Sequence, residues 1–281
     1  METLNSSSAA IMLRKCLRNK SVVIGAIILF IMIMIAVLAP IISPHDPYLT
    51  NSAIACAKPS AEYPFGTDEL GRCVLSRMLY GARITIPYSL MSLAVAVVIG
   101  VPIGLISGFY RHLDNPLMRF MDILMAFPGM LLAIAIVATL GQGLGNVTIA
   151  VGLGSMPAYA RLICGLVLSL KKMPYIEASI SAGASDLRII VRHILPNCIP
   201  TIIVYSMLEM AWIIMSISTL SFLGIGATPP IPEWGALISA GKDYISSYPH
   251  ISGFPVIFIF GTVMGFNLLG DGLRDVLDPR M

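Results

Sequence analysis

The stretch ITIPYSLMSLAVAVVIGVPIGLISGFY (residues 84–110) contains 27 consecutive residues without a charged side chain. A helix that crosses the hydrocarbon core of a bilayer needs roughly 20 mostly apolar residues. Three further uncharged runs of 22, 38 and 27 residues cover positions 21–42, 123–160 and 244–270. The sequence therefore predicts an all-α integral membrane protein with several spans.

The composition of the chain excludes an ordinary soluble domain. Of its 281 residues, 57% are hydrophobic and 12% are charged, whereas a soluble domain is about 25% charged. The alternating pattern of a transmembrane barrel is absent. The net charge is only +3 and the basic residues are scattered, so no nucleic-acid partner is expected.

The uncharged runs divide into six predicted spans. The 38-residue run is long enough for two helices, and the segment GQGLGN (141–146) supplies a turn between them. The first run exceeds the roughly 7–15 residues of a signal-peptide core, so we interpret it as a retained span. The predicted spans cover residues 22–42, 86–109, 117–140, 147–170, 200–222 and 253–269.

The spans define the predicted organisation of the chain. An N-terminal tail (1–21) precedes the first span, and a long loop (43–83) follows it. A transmembrane core (84–272) leads to a C-terminal tail (273–281). Twelve Lys and Arg residues fall on the side of the two tails and five on the side of the long loop. Because cytoplasmic segments carry the excess of positive charge, both termini are expected in the cytoplasm.

The long outer loop is expected to contain an amphipathic helix. Thr67 is placed to cap a helix whose first residues are Asp68 and Glu69, and Gly81 is placed to close it. Four apolar residues share one face of that helix: Leu70, Val74, Met78 and Leu79. An irregular loop is the alternative.

The cysteines and histidines do not predict a metal site. Cys56 and Cys73 share the outer loop, which permits a disulfide in an oxidising compartment, with two free thiols as the alternative. The four histidines are scattered over different loops: His45, His112, His193 and His250.

The segment YIEASISAGASDLRIIVRHILPN (175–197) is soluble-like, although it lies between two apolar spans. After Pro174, a first short helix is predicted over 175–182. Gly183 then interrupts the helical pattern, as a residue suited to a turn or a close backbone contact.

A second short helix is predicted to begin after Ser185, which is placed as its cap, with Asp186 in the first turn. Pro196 is expected to end this helix. Its predicted apolar face consists of Leu187, Ile190, Val191 and Ile194, with Arg188 and Arg192 on the other face. This amphipathic face fits a groove on a partner protein, and the membrane surface is the alternative.

The same segment resembles the coupling-loop signature of ABC-importer permeases, which reads E-A-A, three residues, G, nine residues, then I-x-L-P. Glu177 and Ala178 open it, Gly183 has the matching spacing, and Leu195-Pro196 close it. His193 stands at the isoleucine position, a form typical of the peptide/nickel branch of this family.

Three other segments resemble signatures of that branch. They are PFGTDELGRCVLSRMLYGARI (64–84), SFLGIGATPPIPEWG (221–235) and FNLLGDGLRDVLDPR (266–280). Cys73 departs from the pattern, which has Asp there. The chain is similar to the C-type permease subunit of dipeptide, oligopeptide, glutathione or nickel importers.

The resemblance implies a type I ABC-importer permease fold in a bacterial or archaeal plasma membrane. It implies four kinds of partner: a homologous B-type permease subunit, two cytoplasmic ATPase subunits, an extracytoplasmic substrate-binding protein and the lipid membrane. ATP and Mg²⁺ would be used by the ATPases, and no cofactor is expected on this chain. In agreement, the sequence has no G-x-x-x-x-G-K-[ST] phosphate loop.

The resemblance also assigns roles within the 174–197 segment, which becomes a coupling loop that seats in a groove of the ATPase. Glu177 would supply a charged contact there, and Gly183 would allow close approach. The face of Leu187, Ile190 and Ile194 would pack against the partner or the neighbouring spans.

Glu209 lies near the middle of the fifth predicted span. A carboxylate at membrane depth is costly and is therefore a functional candidate. We expect it to face either the translocation pathway or a neighbouring helix, with Tyr205 or a serine as its hydrogen-bonding partner. Asp122, near the cytoplasmic end of the third span, is expected to pair with Arg119 or Arg161 in a structural role.

Three other functions compete with that of an importer subunit for a small peptide. A metal-chelate or nickel permease of the same family shares all four segments. A membrane-embedded enzyme would need paired acid/base groups or metal ligands at one depth, and these are missing from the sequence. A self-contained secondary transporter usually shows internal repeats, and no clear repeat is present.

Overall fold

The first two long helices frame the outer loop in the computed structural model, which describes residues 14–277. Helix α1 spans Lys20–Ile42, and the Asn19 side chain caps it by accepting hydrogen bonds from two backbone N–H groups of the first turn. The outer loop contains a 3₁₀ turn at Ser52–Ile54. Helix α2 then runs without interruption over Val74–Phe109.

The third predicted span is broken. Helix α3 covers Arg111–Met125, helix α4 covers Gly129–Leu140, and the two are bent by 92°. Pro128 lies in the break, where proline offers no backbone N–H and disfavours helical backbone at the preceding residue. The prediction of one straight helix over 117–140 is therefore wrong. Helix α5 follows over Leu144–Leu170.

The 174–197 segment forms two helices, as predicted, but the second one does not end. Helix α6 covers Pro174–Ser181. Helix α7 runs continuously over Asp186–Phe222 and contains a π turn at Ile190–Ile194. Pro196 would normally clash with the carbonyl four residues back, and the wider π turn before it accommodates the ring. The prediction that Pro196 terminates a helix is therefore wrong.

Two further helices complete the chain. Helix α8 is short and covers Trp234–Gly241, and a 3₁₀ turn follows at Lys242–Tyr244. Helix α9 covers His250–Leu277. Among the described residues, five helices are long and apolar enough to cross a membrane, namely α1, α2, α5, α7 and α9. The bent pair α3–α4 makes a sixth crossing if it is counted as one.

Glycines bring α2 and α5 into close contact. A Cβ atom added to Gly100 would lie 2.6 Å from the Met156 carbonyl oxygen, and one added to Gly104 would lie 2.5 Å from the Ala160 carbonyl oxygen. At Gly108 the nearest atom would be the Val167 Cβ at 2.6 Å. Small residues let membrane helices approach closely enough for backbone-to-backbone packing. This stripe fixes the central pair of the bundle.

One end of the bundle gathers both termini of the described chain. The Asn19 side chain donates a hydrogen bond to the Gly272 carbonyl oxygen at 3.5 Å, which joins the start of α1 to the last turns of α9. Lys171, after α5, donates to the carbonyl oxygen of Phe109 at the end of α2, at 2.7 Å. We call this the inner end and the opposite one the outer end. The placement of the inner end in the cytoplasm stays a prediction.

The outer loop differs from its prediction. No separate helix begins at Asp68, because the carboxylate of Asp68 accepts the N–H groups of Leu70 and Arg72 and closes a turn instead. The Thr67 hydroxyl accepts from the Ala57 N–H at 2.8 Å and does not cap a helix. The helical residues from Val74 onward are the start of α2 itself.

Candidate functional site

Helix α6 and the turn after it project from the inner end. Pro174 occupies the first turn of α6, where its missing N–H costs nothing, and Glu177 lies in the same turn with an exposed side chain. Gly183 has a φ of +77°, in the left-handed region that side-chain-bearing residues rarely adopt. This confirms the predicted turn. No atom of residues 14–277 lies within 4 Å of a Cβ built there, so the surface around Gly183 is open.

Three isoleucines anchor this projection to the bundle. Ile176 of α6 and Ile189 and Ile194 of α7 are at most 1% exposed. They belong to one core cluster with Phe109 of α2 and Val167 of α5. The projection is therefore packed onto the ends of two membrane helices and is not a free loop.

The predicted apolar face of α7 is only partly correct. Ile194 is buried and Ile190 is half-buried, but Leu187 is 71% exposed and Val191 is 53% exposed. Ile189, which the helical pattern did not select, is buried in their place. Residues five apart share a face across a π turn, so Ile189 and Ile194 face the bundle together.

The outer surface of the projection is an apolar patch surrounded by charges. Tyr175, Ile180, Leu187 and Val191 are all at least 44% exposed, and we call these four residues the tip patch. Exposed polar or charged residues of the same projection include Glu177, Asp186 and Arg188, and Ala178 is also exposed. Nothing in the part of the chain that the structure describes covers the tip patch.

The remaining signature residues belong to the body of α7. Leu195 is half-buried and Pro196 is exposed, and both lie in the first turn after the π turn. Ser185 occupies the cap position of α7, but its side chain makes no capping hydrogen bond. Its predicted side-chain cap is therefore wrong.

Glu209 belongs to a cluster of polar side chains near the middle of the fifth predicted span. The hydroxyls of Ser155 on α5 and Tyr205 on α7 face its carboxylate. Next to it, the Tyr159 hydroxyl is 3.0 Å from the Ser206 hydroxyl, and the Tyr159 and Tyr205 rings meet edge to face. The predicted contacts with Tyr205 and a serine are therefore present.

Tyr205 also borders a cleft of about 560 Å³ at the inner end. The cleft lies between α5, α7 and α9, and its lining includes Leu162, Leu208 and Arg274. The cleft is large enough for a small solute, and its lining includes Tyr205 and Leu208 but not Glu209 itself.

Asp122 pairs with Arg161, as one of its two predicted alternatives. The Arg161 guanidinium donates to the Asp122 carboxylate, which links α3 to α5. The side chains are 53% and 54% exposed in this chain.

The outer end contains a buried carboxylate that the sequence analysis did not single out. Glu233 is 0% exposed and caps α8 by accepting from the Ala236 N–H at 3.0 Å. It also accepts from the hydroxyls of Thr85 on α2 at 3.2 Å and Ser218 on α7 at 3.1 Å. Burial raises the pKa of Glu233, and these hydrogen bonds oppose the rise. Its position directly before Trp234, within the segment 221–235, was the sequence feature that could have identified it as a candidate.

The two outer-loop cysteines are free thiols in the structure. Cys73 is buried at the start of α2 and Cys56 is half-buried in the outer loop. Burial raises the pKa of the Cys56 thiol, and the nearby carboxylates of Glu69 and Asp68 raise it further. The disulfide stays a prediction.

Two family descriptions match the chain. Residues 100–281 match "Binding-protein-dependent transport system inner membrane component", and residues 7–59 match "N-terminal TM domain of oligopeptide transport permease C". The first match alone covers more than half of the chain.

Relatives and a solved structure agree with these matches. The glutathione transport system permease protein GsiD of Pectobacterium atrosepticum is 42% identical over 95% of this chain and 90% of its own length. A putative peptide transport system permease protein of Brucella abortus is 42% identical over 100% of this chain and 95% of its own length.

A chain of the MetNI methionine ABC transporter in an inward-facing conformation superposes with a TM-score of 0.58. It has 19% identity and covers 72% of this chain and 97% of that chain. This likeness confirms the predicted type I fold. The chain belongs to the binding-protein-dependent transport system inner membrane components and is a multi-pass permease subunit of a bacterial ABC importer.

Proposed function

We propose that this permease carries small peptides, including peptides like glutathione, across the inner membrane. The observation that supports this cargo is the similarity over nearly the whole chain to permeases named for glutathione and for peptide transport. The metal-chelate alternative has no comparable support among these relatives.

In the proposed complex, each subunit has a separate function. A homologous B-type permease subunit would complete the pathway, and an extracytoplasmic binding protein would deliver the cargo. Two cytoplasmic ATPase subunits would bind ATP and Mg²⁺, because the sequence of this chain has no phosphate loop. This chain itself would bind no cofactor.

The tip patch is the proposed seat of one ATPase. Four exposed apolar side chains on a rigid projection would leave water on docking. Glu177, Asp186 and Arg188 would supply charged contacts at the rim. Gly183 leaves its surroundings open, so the ATPase surface could approach the backbone there.

The continuity of α7 supports a simple transmission of ATPase motion. Leu187 of the tip patch and Glu209 at membrane depth lie on one uninterrupted helix. The isoleucines at the base of the projection tie that helix to α2 and α5. A shift of the seat would therefore move membrane helices as packed bodies.

Glu209 remains the proposed pathway residue from the sequence. The hydroxyls of Ser155 and Tyr205 face its carboxylate, and Tyr205 also lines the cleft at the inner end. It would offer an acceptor to the ammonium group of a passing peptide.

The coupling part of the proposal is tested with variants of the tip patch in the complete complex. Gly183→Arg and Leu187→Asp should abolish peptide uptake and reduce copurification of the ATPases, while the permease remains in the membrane. Leu49→Asp is the matched control, because Leu49 is 69% exposed in the outer loop, away from the tip patch. Normal uptake and normal ATPase yield in both tip variants would refute the seat. The cargo part is tested by competition among labelled dipeptide, glutathione and nickel uptake.

A further inference from the structure

The ion pair between Asp122 and Arg161 lies at membrane depth. Helix α5 has 27 residues, which makes it about 40 Å long at 1.5 Å per residue. Its midpoint is Pro157, and Arg161 lies four residues away, about 6 Å along the axis. The hydrocarbon core of a bilayer extends about 15 Å to each side of its centre. When the midpoint of α5 is placed at the bilayer centre, Arg161 and its partner Asp122 fall within the hydrocarbon core.

This position conflicts with the exposure of the pair. More than half of each side chain is uncovered by the described chain. Charged side chains inside a membrane face a water-filled cavity or another protein surface rather than lipid. The exposed face of α1 shows what a lipid-compatible surface looks like, because it consists of apolar residues such as Ile27, Phe30 and Val37.

The break between α3 and α4 is a second, independent indication that this side of the bundle does not face lipid. Residues 126–129 are all exposed in the described chain. A Cβ on Gly154 of α5 would lie 3.8 Å from the Gly129 carbonyl oxygen, so the break is level with the centre of α5. Non-helical backbone at membrane depth is tolerated only inside protein or beside a water-filled cavity.

The space next to the pair is open. Gly165 is four residues from Arg161 and therefore on the same face of α5. A Cβ built at Gly165 or at Gly129 would meet no atom within 4 Å. The pair thus borders a clear surface formed by α3, α5 and the break between α3 and α4.

We propose that this surface lines the translocation pathway and that Asp122 and Arg161 together recognise the two charged ends of a zwitterionic peptide. The inference rests on the proposed peptide cargo. An α-ammonium group has the charge and donors to replace Arg161 at the Asp122 carboxylate. An α-carboxylate matches the bidentate geometry of the Arg161 guanidinium.

Because Asp122 and Arg161 neutralise each other, the pair also discriminates among solutes by their charge. Without cargo, each charge neutralises the other, so neither is left unpaired inside the membrane. A peptide that carries both charges exchanges with both partners, whereas a solute with one charge leaves the other partner uncompensated. The pair therefore favours zwitterions over singly charged solutes.

The location is tested by thiol labelling of the complete complex in inverted membrane vesicles. Arg161→Cys and Asp122→Cys should react with a membrane-impermeant cationic methanethiosulfonate, and dipeptide should change the rate. Phe30→Cys is the control, because Phe30 is 64% exposed on the apolar face of α1 and should stay unreactive. The unsubstituted complex sets the background from the native thiols. Cysteines at 122 and 161 as unreactive as the control would overturn the pathway position and favour a contact with the partner subunit.

The recognition role is tested by uptake per assembled complex. Asp122→Asn should lower uptake of a free dipeptide by roughly tenfold or more, as expected for the loss of a charged hydrogen bond, and should affect its N-acetylated form much less. Arg161→Gln should show the same contrast with a C-amidated peptide. Equal losses for free and blocked peptides would show a structural role only and overturn recognition.

A third variant protects this test against misfolding. The double exchange Asp122→Arg with Arg161→Asp retains an ion pair, so its membrane yield should match that of the unsubstituted complex. Recovery of yield together with unchanged preference among all the peptides would also overturn recognition. An unsubstituted complex that takes up no dipeptide refutes the cargo, and the recognition role with it, whereas the labelling result still decides where the pair lies.

Discussion

Replacing Gly104 by alanine tests the close packing of α2 on α5. The new Cβ would lie 2.5 Å from the Ala160 carbonyl oxygen and 2.7 Å from the Ile163 Cβ. Both neighbours belong to a helix and cannot rotate away, so the helices must separate by several tenths of an ångström or more. Overpacking of this kind costs about 1–3 kcal/mol, and the better helix propensity of alanine returns about 0.5–1 kcal/mol. The net loss of stability is therefore at most about 2.5 kcal/mol, and the midpoints of the two ranges give about 1 kcal/mol.

Gly145→Ala is the matched control for this measurement. Gly145 lies in the first turn of α5, and a Cβ there would meet no atom within 4 Å. The control should be neutral or slightly stabilising, because only the propensity gain applies. Thermal unfolding of the detergent-purified complex, followed by a thiol-reactive dye, compares the two variants. Equal midpoints for Gly104→Ala and Gly145→Ala would refute the packing argument.

Two further predictions concern buried carboxylates. Burial raises the pKa of Glu233 above its usual 4.5, so the folded chain binds the proton of this carboxyl group more tightly than the unfolded chain does. The contribution of Glu233 to the free energy of unfolding is therefore present at low pH and is lost as the pH rises through the folded pKa. Glu233→Gln should flatten the fall of the unfolding temperature as the pH rises above about 4.5, and an unchanged slope would contradict the assignment. Glu209→Gln should lower peptide uptake in vesicles without lowering the yield of the complex; unchanged rate and cargo preference would count against a pathway role.

The apolar spans were predictable because lipid imposes a simple requirement on each segment. Long uncharged runs led directly to α1, α2, α5, α7 and α9. The start of α2 was misplaced, because Arg77 and Arg83 separated the predicted outer-loop helix, which closed at Gly81, from the uncharged run that begins at Ile84. In the structure the Arg77 guanidinium is buried and donates to the carbonyl oxygen of Pro47 at 3.0 Å. Such compensation depends on residues 30 positions away, which no local pattern contains.

The site was predictable in its position but less so in its orientation. Glu177 and Gly183 lie on the exposed projection, as their spacing suggested. The choice between Leu187 and Ile189 failed because a regular helix was assumed, and the π turn changes which residues share a face. The sequence did not decide whether Asp122 pairs with Arg119 or with Arg161, because it does not show which face of its helix each side chain occupies.

The unbroken course of α7 has a mechanical consequence. Its 37 residues make a rod about 55 Å long at 1.5 Å per residue. A tilt of about 5° around its midpoint would displace each end by roughly 2.4 Å, in opposite directions. When α7 moves as one body, together with its π turn and prolines, a push that narrows the space beside it at the inner end therefore widens the space at the outer end. A single stiff pivot of this kind would keep the two mouths of a channel from opening together.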